Sequence, residues 1–184
     1  FNTSFYVPEN SALSINTTES NYNGFNNRCY GNDDAWVSTS VTGGLLPYNY
    51  VWTDQNNNVV SNNPDLYDAK AGTYRLTVTD IENCPNVKDF DLTQPDSISL
   101  DVSNYSHKSC TYNNDGTLEI ASWGGPDSPP FSENYNNIVY KWTGPKSFYS
   151  TQEDISNLSE GVYSVIAENI NNCTNEISFE ITQN

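Results

Sequence analysis

Between Gly72 and Thr79 the chain alternates, with Tyr74, Leu76 and Val78 falling on one side and Arg75, Thr77 and Thr79 on the other. Strand side chains point to opposite faces with a period of two, so this segment predicts a half-buried strand. Ile177, Phe179 and Ile181 alternate in the same way with Glu176, Ser178 and Glu180, and Val37 and Val41 oppose Trp36, Ser38 and Ser40. Clusters of Gly, Pro and Asn divide each half of the chain into about six to eight short strands, and no stretch keeps helical spacing for a useful length. The expected architecture is all-β, as tandem immunoglobulin-like β-sandwich repeats. Lys88 stands where Ile177 stands in the other half, which predicts a late start or a bulge in that strand.

The halves repeat one another. "GTYRLTVTDIENC" from Gly72 to Cys84 matches "GVYSVIAENINNC" from Gly161 to Cys173 at an offset of 89. "YVWT" (Tyr50 to Thr53) meets "YKWT" (Tyr140 to Thr143) at an offset of 90, and Cys29 and Gly43-Gly44 meet Cys110 and Gly124-Gly125 at an offset of 81. The jump places nine extra residues in "PDSPPFSENYNN" of the second copy, where a surface loop accommodates them. "FYVPENSALSI" (Phe5 to Ile15) matches "FDLTQPDSISL" (Phe90 to Leu100). Residues 1–11 therefore read as the last strand of a preceding repeat, 12–96 as repeat 1 and 97–184 as repeat 2, all cut from a longer array. A Gly just before a Tyr that opens an inward-facing strand fits a tyrosine corner, with the hydroxyl bonding back to the preceding loop. Trp52 and Trp142 are expected to fill the cores beside Tyr74 and Tyr163.

Composition narrows the partners. With 23 Asp and Glu against 7 Lys and Arg, the net charge is −16, which repels nucleic acid and anionic membrane surfaces. No apolar run of about 18 residues is present, so no membrane insertion by a helix is expected. Four Cys and no Met among many Asn, Thr, Ser and Tyr point to an oxidising exterior. The many short Asn runs read as turns, because Asn tolerates the left-handed backbone.

Four cysteines allow three pairings. Pairing within a copy uses one geometry twice, so the bridges Cys29–Cys84 and Cys110–Cys173 are expected, one per repeat, each worth about 4 kcal/mol on the chain-entropy account. Zinc would need a CxxC spacing that is missing, and His107 is the sole histidine. That histidine falls in the link between copies, leaving a hydrolytic triad without a base. A pair of carboxylates for glycoside hydrolysis is not excluded by counting, but a small duplicated sandwich offers little cleft. The chain is expected to be no enzyme and to hold no organic cofactor. Calcium is the candidate cation, on Asp33, Asp34, Asp80 and Glu82, with Asp115 in the second copy. The Cys29–Cys84 bridge would bring the first four together; the alternative is that these side chains cap their own turns. Candidate ligand contacts are the aromatics Trp36, Tyr48, Phe131 and Tyr135, able to stack on sugars or anchor a protein.

Reading Cys, acidic turn, alternating strand, GG, Y-x-W, G-x-Y, strand, Cys and TQP, both copies resemble the SprB-type repeat, a family that builds very large cell-surface adhesins of gliding Bacteroidota. Copy one supplies "CYGNDD", "GGLLPYNYVWT", "AGTYRLTVTD", Cys84 and "TQP"; copy two supplies "CTYNNDG", "WGG", "YKWT", "EGVYSVIAEN", Cys173 and "TQN". Departures are Ala35 for the usual turn Gly, Asn169 for the strand-end Asp, the insertion, and Asn184 for Pro. The resemblance implies type 9 secretion, display on the outer-membrane exterior, and a spacer or adhesive role in attachment or gliding. It also implies neighbouring repeats as partners, surface glycans or abiotic surfaces as further ones, and O-glycosylation at Ser97 within "DSI". A carbohydrate-binding module array using the exposed aromatics is the alternative.

Overall fold

Every alternating segment is a strand. In the computed structural model, which describes residues 11–125 and 138–183, the chain divides into two units, Phe1–Gln94 and Pro95–Asn184. The first contains β1 (Ser14–Glu19), β2 (Ala35–Thr42), β3 (Asn49–Asp54), β4 (Val59–Ser61), β5 (Leu66–Ala69), β6 (Gly72–Thr79) and β7 (Pro85–Leu92). The second contains β8 (Asp96–Ser106), β9 (Gly116–Gly125), β10 (Val139–Gly144), β11 (Phe148–Ser150), β12 (Ile155–Leu158), β13 (Gly161–Glu168) and β14 (Thr174–Ile181). In unit 1 a three-stranded sheet ordered β1-β2-β5 faces a four-stranded sheet ordered β4-β3-β6-β7; unit 2 repeats this as β8-β9-β12 and β11-β10-β13-β14. Each unit is an immunoglobulin-like β-sandwich. The terminal strand expected over residues 1–11 falls, apart from Ser11, outside the described residues.

The pairing gives each unit two poles. β1 starts opposite the end of β2 (Ser14 with Thr42), and β6 ends opposite the start of β7 (Thr79 with Pro85). This is the leading pole, where the chain comes in. Ala35 pairs with Ala69 and Gly72 with Leu92 at the trailing pole, where the chain leaves. Unit 2 follows suit, with Asp96 opposite Gly125 at its leading pole and Gly161 opposite Ile181 at its trailing pole.

The core of unit 1 is Ala35, Val37, Trp52, Leu66, Ala69, Leu76, Val78, Phe90 and Leu92. Unit 2 buries a more aromatic set that includes Tyr140, Trp142 and Tyr163. Each large apolar side chain taken fully out of water contributes about 1.5–3 kcal/mol. Both tryptophans satisfy their ring N–H while buried. Trp52 Nε1 donates to the Asn63 carbonyl at 3.1 Å, and Trp142 Nε1 to the Gln152 carbonyl at 2.9 Å. The tyrosine corner forms twice: the Tyr74 hydroxyl donates to the Lys70 carbonyl and the Tyr163 hydroxyl to the Ser159 carbonyl, each at 3.1 Å.

The repeated GG also has a steric cause. At Gly43 (φ +74°) an added Cβ would lie 2.1 Å from the Ala12 carbonyl oxygen, and at Gly124 (φ +96°) 1.9 Å from that of Ser97. Only glycine lets the backbone fold this tightly onto the incoming strand. Asn serves the turns as expected, since Asn23, Asn57, Asn83, Asn157 and Asn172 take positive φ.

Lys88 corrects one expectation. β7 begins at Pro85 and pairs with β6 without a register shift through Leu92, so there is neither late start nor bulge. The stem of Lys88 instead extends along the sandwich edge, its ammonium donating to Thr17 Oγ1 at 2.6 Å and lying 5.5 Å from the centre of the Phe90 ring. An amphipathic side chain can occupy an inward position when its charged tip escapes to a polar partner.

Candidate functional site

The cysteine turns lie at the poles. In unit 1 the Asn32 N–H closes a turn on the Cys29 carbonyl at 3.2 Å. The Gly31 N–H ties this turn to Gln94 Oε1 at 2.8 Å. Asn26 and Asn27 donate their N–H groups to the Thr93 carbonyl, and Asn27 Nδ2 reaches the Ala69 carbonyl at 2.8 Å. Cys29 is thereby held at the trailing pole. Cys110 sits likewise in unit 2: Asn113 N–H closes on its carbonyl at 3.1 Å and Lys108 N–H bonds the Thr182 carbonyl at 3.1 Å, while Thr111 Oγ1 meets Gln183 Oε1 at 3.2 Å. The repeated Gln of "TQ" therefore secures the cysteine turn.

The other two cysteines mark the leading poles. Cys84 N–H donates to Asp80 Oδ1 at 2.9 Å, and Asn86 Nδ2 binds the Leu13 carbonyl of the incoming chain. Cys173 N–H donates to Asn169 Oδ1 at 3.0 Å, and Asn175 Nδ2 binds the Ile98 carbonyl at 2.8 Å.

This placement overturns the expected bridges. The eight residues of β6 separate the poles by about 23 Å at roughly 3.3 Å per residue, whereas a disulfide tolerates Cα atoms about 7 Å apart at most. Cys29 and Cys173 are the disulfide-bonded cysteines, and Cys84 and Cys110 are exposed free thiols. Neither Cys29–Cys84 nor Cys110–Cys173 forms, so neither unit is closed by a bridge of its own.

The same geometry separates the acidic candidates. Asp33 and Asp34 lie at the trailing pole of unit 1 and Asp80 and Glu82 at its leading pole, so the expected convergence of these turns does not occur. Among the described residues no group of three or more His, Cys, Asp or Glu is placed to hold a metal ion. Asp34, Asp80 and Asp115 cap their own turns. Asp34 accepts from Arg28 N–H at 3.0 Å and Asn32 Nδ2 at 3.2 Å. Burial pushes its pKa up, but these donors, Asn27 and the Arg28 charge outweigh that and hold it below the ordinary carboxylate value. Asp80 accepts from Cys84 N–H, from Glu82 N–H at 3.0 Å and from Leu45 N–H at 3.2 Å, and is held low chiefly by Cys84. Asp115 is held low by the hydroxyl and N–H of Ser109. His107 is not a link residue: it follows β8 within unit 2, half-buried, and its Nδ1 accepts from Thr182 N–H at 3.2 Å.

The aromatic candidates separate into different roles. Tyr48 is half-buried against the core of unit 1 and its hydroxyl donates to the Gly43 carbonyl, which makes it a brace for the GG turn. Trp36 lies on the solvent face of the three-stranded sheet. There it lines an open hollow of ≈ 430 Å³ with Thr18, Ser38 and Tyr67. Tyr67, 60% exposed, was not singled out by sequence. Its hydroxyl donates to Asp65 Oδ2 at 3.2 Å, and Asp65 Oδ1 accepts Thr39 N–H at 2.7 Å, which fixes the ring beside Trp36. The signal that could have found it is the outward position of Tyr67 next to inward Leu66. In unit 2 the equivalent positions hold Thr117 and Ser156, so the aromatic pair is peculiar to unit 1. Ser97 is exposed on β8. Phe131 and Tyr135 lie outside the described residues.

No protein-family profile matches the chain, and no curated protein matches it. Solved structures do. The chain is similar to the three N-terminal domains of the bacteriophage RB49 highly immunogenic outer capsid protein (Hoc), with TM-score 0.51 and 20% identity, covering 94% of this chain and 59% of that one. It is also similar to the N-terminal eight Ig domains of Down syndrome cell adhesion molecule, with TM-score 0.43 and 13% identity, over 94% of this chain and 25% of that one. A third likeness is to extracellular domains 3–5 of Drosophila OTK, with TM-score 0.40 and 11% identity, over 81% and 55% of the two chains. The chain thus spans less than two thirds of each of these structures. The phage likeness bears on the fold alone, and that fold is immunoglobulin-like. Among the described residues no helix is long and apolar enough to cross a membrane, and the disulfide-bonded cysteines fit an extracellular setting.

Proposed function

We propose that this chain is a non-catalytic repeat segment of a large bacterial cell-surface adhesin, acting as spacer and adhesive stalk in attachment or gliding. The observation that carries this reading is the polar build of each unit: one strand order used twice, with the chain coming in at one end and leaving at the other. Such units can be strung in any number, as repeat proteins are. The SprB-type resemblance supplies the setting, namely type 9 secretion and display on the outer-membrane exterior of Bacteroidota. The charge of −16 discourages self-association along a stalk. Electron microscopy of a chain carrying several copies tests the reading. Elongated rods whose length grows with copy number are expected; compact globules would overturn it.

A second reading rests on the Trp36–Tyr67 hollow, whose planar rings on a rigid sheet suit stacking against a sugar. On a glycan array, wild type should give signals that Trp36→Ala and Tyr67→Ala both lose. An array on which all three proteins give the same result would remove glycan binding at this hollow.

A further inference from the structure

Each unit ties the end of its last strand to the loop that follows its first strand, and the two ties differ in chemistry. In unit 1 Thr93 N–H donates to Asn26 Oδ1 at 2.9 Å, and the Thr93 carbonyl accepts from Asn27 N–H at 2.9 Å. In unit 2 Thr182 N–H donates to His107 Nδ1 at 3.2 Å, and the Thr182 carbonyl accepts from Lys108 N–H at 3.1 Å. The repeat alignment sets His107 on Asn26 and Thr182 on Thr93, so an amide oxygen and an imidazole nitrogen receive the same backbone donor. An amide oxygen accepts whatever the pH. An imidazole nitrogen accepts only while it carries no proton.

We propose that the tie in unit 2 is a pH-sensitive latch, opened when His107 Nδ1 takes a proton from water, while the tie in unit 1 stays shut. The proton occupies the lone pair that received Thr182 N–H, so two donors then face one another and the bond is lost. Imidazole is the side chain that changes charge between about pH 5 and pH 8, and the chain has a single histidine. The latch is therefore closed above that range and opens as pH falls through it. The ring is not free to turn aside, since it stacks on Phe179 with centroids 6.4 Å apart and lies 5.2 Å from the ring of Tyr105. From β8 the phenol of Tyr105 faces the imidazole. From β14 Phe179 faces it, and Glu176 and Glu180 alternate to the opposite side. In its own turn the Lys108 ammonium reaches the Thr111 carbonyl and Glu160, and Asp115 is engaged by Ser109. Among the described residues no carboxylate is paired with the imidazole, so the new charge gains no partner that would offset the lost bond. Thr182 adjoins Gln183, whose Oε1 receives Thr111 Oγ1; opening the latch thus loosens the outgoing chain and its hold on the Cys110 turn together.

Amide hydrogen exchange of the whole chain, read residue by residue by NMR and corrected for the intrinsic pH dependence of exchange, tests this. Between about pH 8 and about pH 5 the protection of Thr182 N–H should fall about tenfold, while that of Thr93 N–H holds. His107→Asn, which installs the acceptor of unit 1, should keep Thr182 protected across the whole range. Asn26→His should pass the pH dependence to Thr93. Nitrogen NMR of the wild-type imidazole, which needs no variant, should find the proton on Nε2 and Nδ1 bare at the upper end of the range. Thr182 protection that ignores pH, or that follows it equally in His107→Asn, would overturn the proposal, as would a neutral imidazole with its proton on Nδ1.

Discussion

The two units share strand order, tyrosine corner, core tryptophan and GG turn, but solve three local problems differently. Where unit 1 pairs Arg75 with Asp89 across β6 and β7 at 2.6 Å, unit 2 sets Ser164 against Ser178 at 2.6 Å. Where unit 1 follows β6 with Asp80, unit 2 follows β13 with Asn169, whose Nδ2 is buried with no partner among the described residues. Where unit 1 closes its trailing loop around buried Asn27, unit 2 uses Lys108, whose ammonium reaches the Thr111 carbonyl at 3.1 Å and Glu160 at 3.7 Å. The shared elements are those for which sterics or burial admit one answer. The variable ones each need only a donor and an acceptor in reach.

This contrast can be broken most severely at the core. Trp52→Ala or Trp142→Ala should cost about 3–5 kcal/mol, a large share of one domain's stability. Calorimetry should show the transition of the altered unit lost or shifted far down and that of the other retained; joint loss of both would show that the units do not unfold independently. Next in size is the corner. Tyr163→Phe should destabilise unit 2 by about 1–2 kcal/mol, because it leaves the Ser159 carbonyl short of a donor in a partly buried site. Tyr74→Phe should cost less, its bond being exposed, and equal losses in urea titrations would contradict that ranking.

Acid should separate the units further. Asp80 (by Cys84 N–H), Asp54 (by the Asn58 side chain), Asp89 (by Arg75) and Asp34 (against burial) all have lowered pKa values in unit 1. In unit 2 Asp115 is the described carboxylate so affected. A depressed carboxylate contributes stability that is present above its unfolded value and lost as pH falls through the folded one. Below about pH 4 the urea midpoint of unit 1 should therefore fall faster than that of unit 2, and Asp80→Asn should flatten part of the difference. Parallel acid profiles would refute this. The smallest effect is expected from Arg75→Ser with Asp89→Ser, which copies the arrangement of unit 2; exposed ion pairs contribute little, and the midpoint should barely move.

Much of this was legible from residues alone. The alternation around Tyr74 and Tyr163 gave strands, faces and corner, and the doubled glycines aligned the two copies, whereas the tight backbone approach they permit shows only in the structure. The disulfide was not legible, because it depends on strand direction. Cys29 precedes β2 and Cys84 follows β6, and those strands run the same way in opposite sheets, so the two residues end at opposite poles. Periodicity reports which face a side chain takes, not which end of a sandwich a loop occupies. The Trp36–Tyr67 pair was half legible: Trp36 stood out on its polar face, whereas Tyr67 becomes its neighbour only through the pairing of β2 with β5.

Lys88 acts as an identity mark on its strand. Neighbouring domains of one fold can exchange elements and misassemble, and β7 and β14 are natural candidates for such a mix-up. Inserted into unit 2, β7 would carry its ammonium to where β14 places Ile177 and would face Val102, the counterpart of Thr17 in the repeat alignment, with no hydroxyl to receive it. An unpaired charge held against apolar neighbours is strongly unfavourable, so the wrong partnership is penalised from within while the right one costs a single hydroxyl.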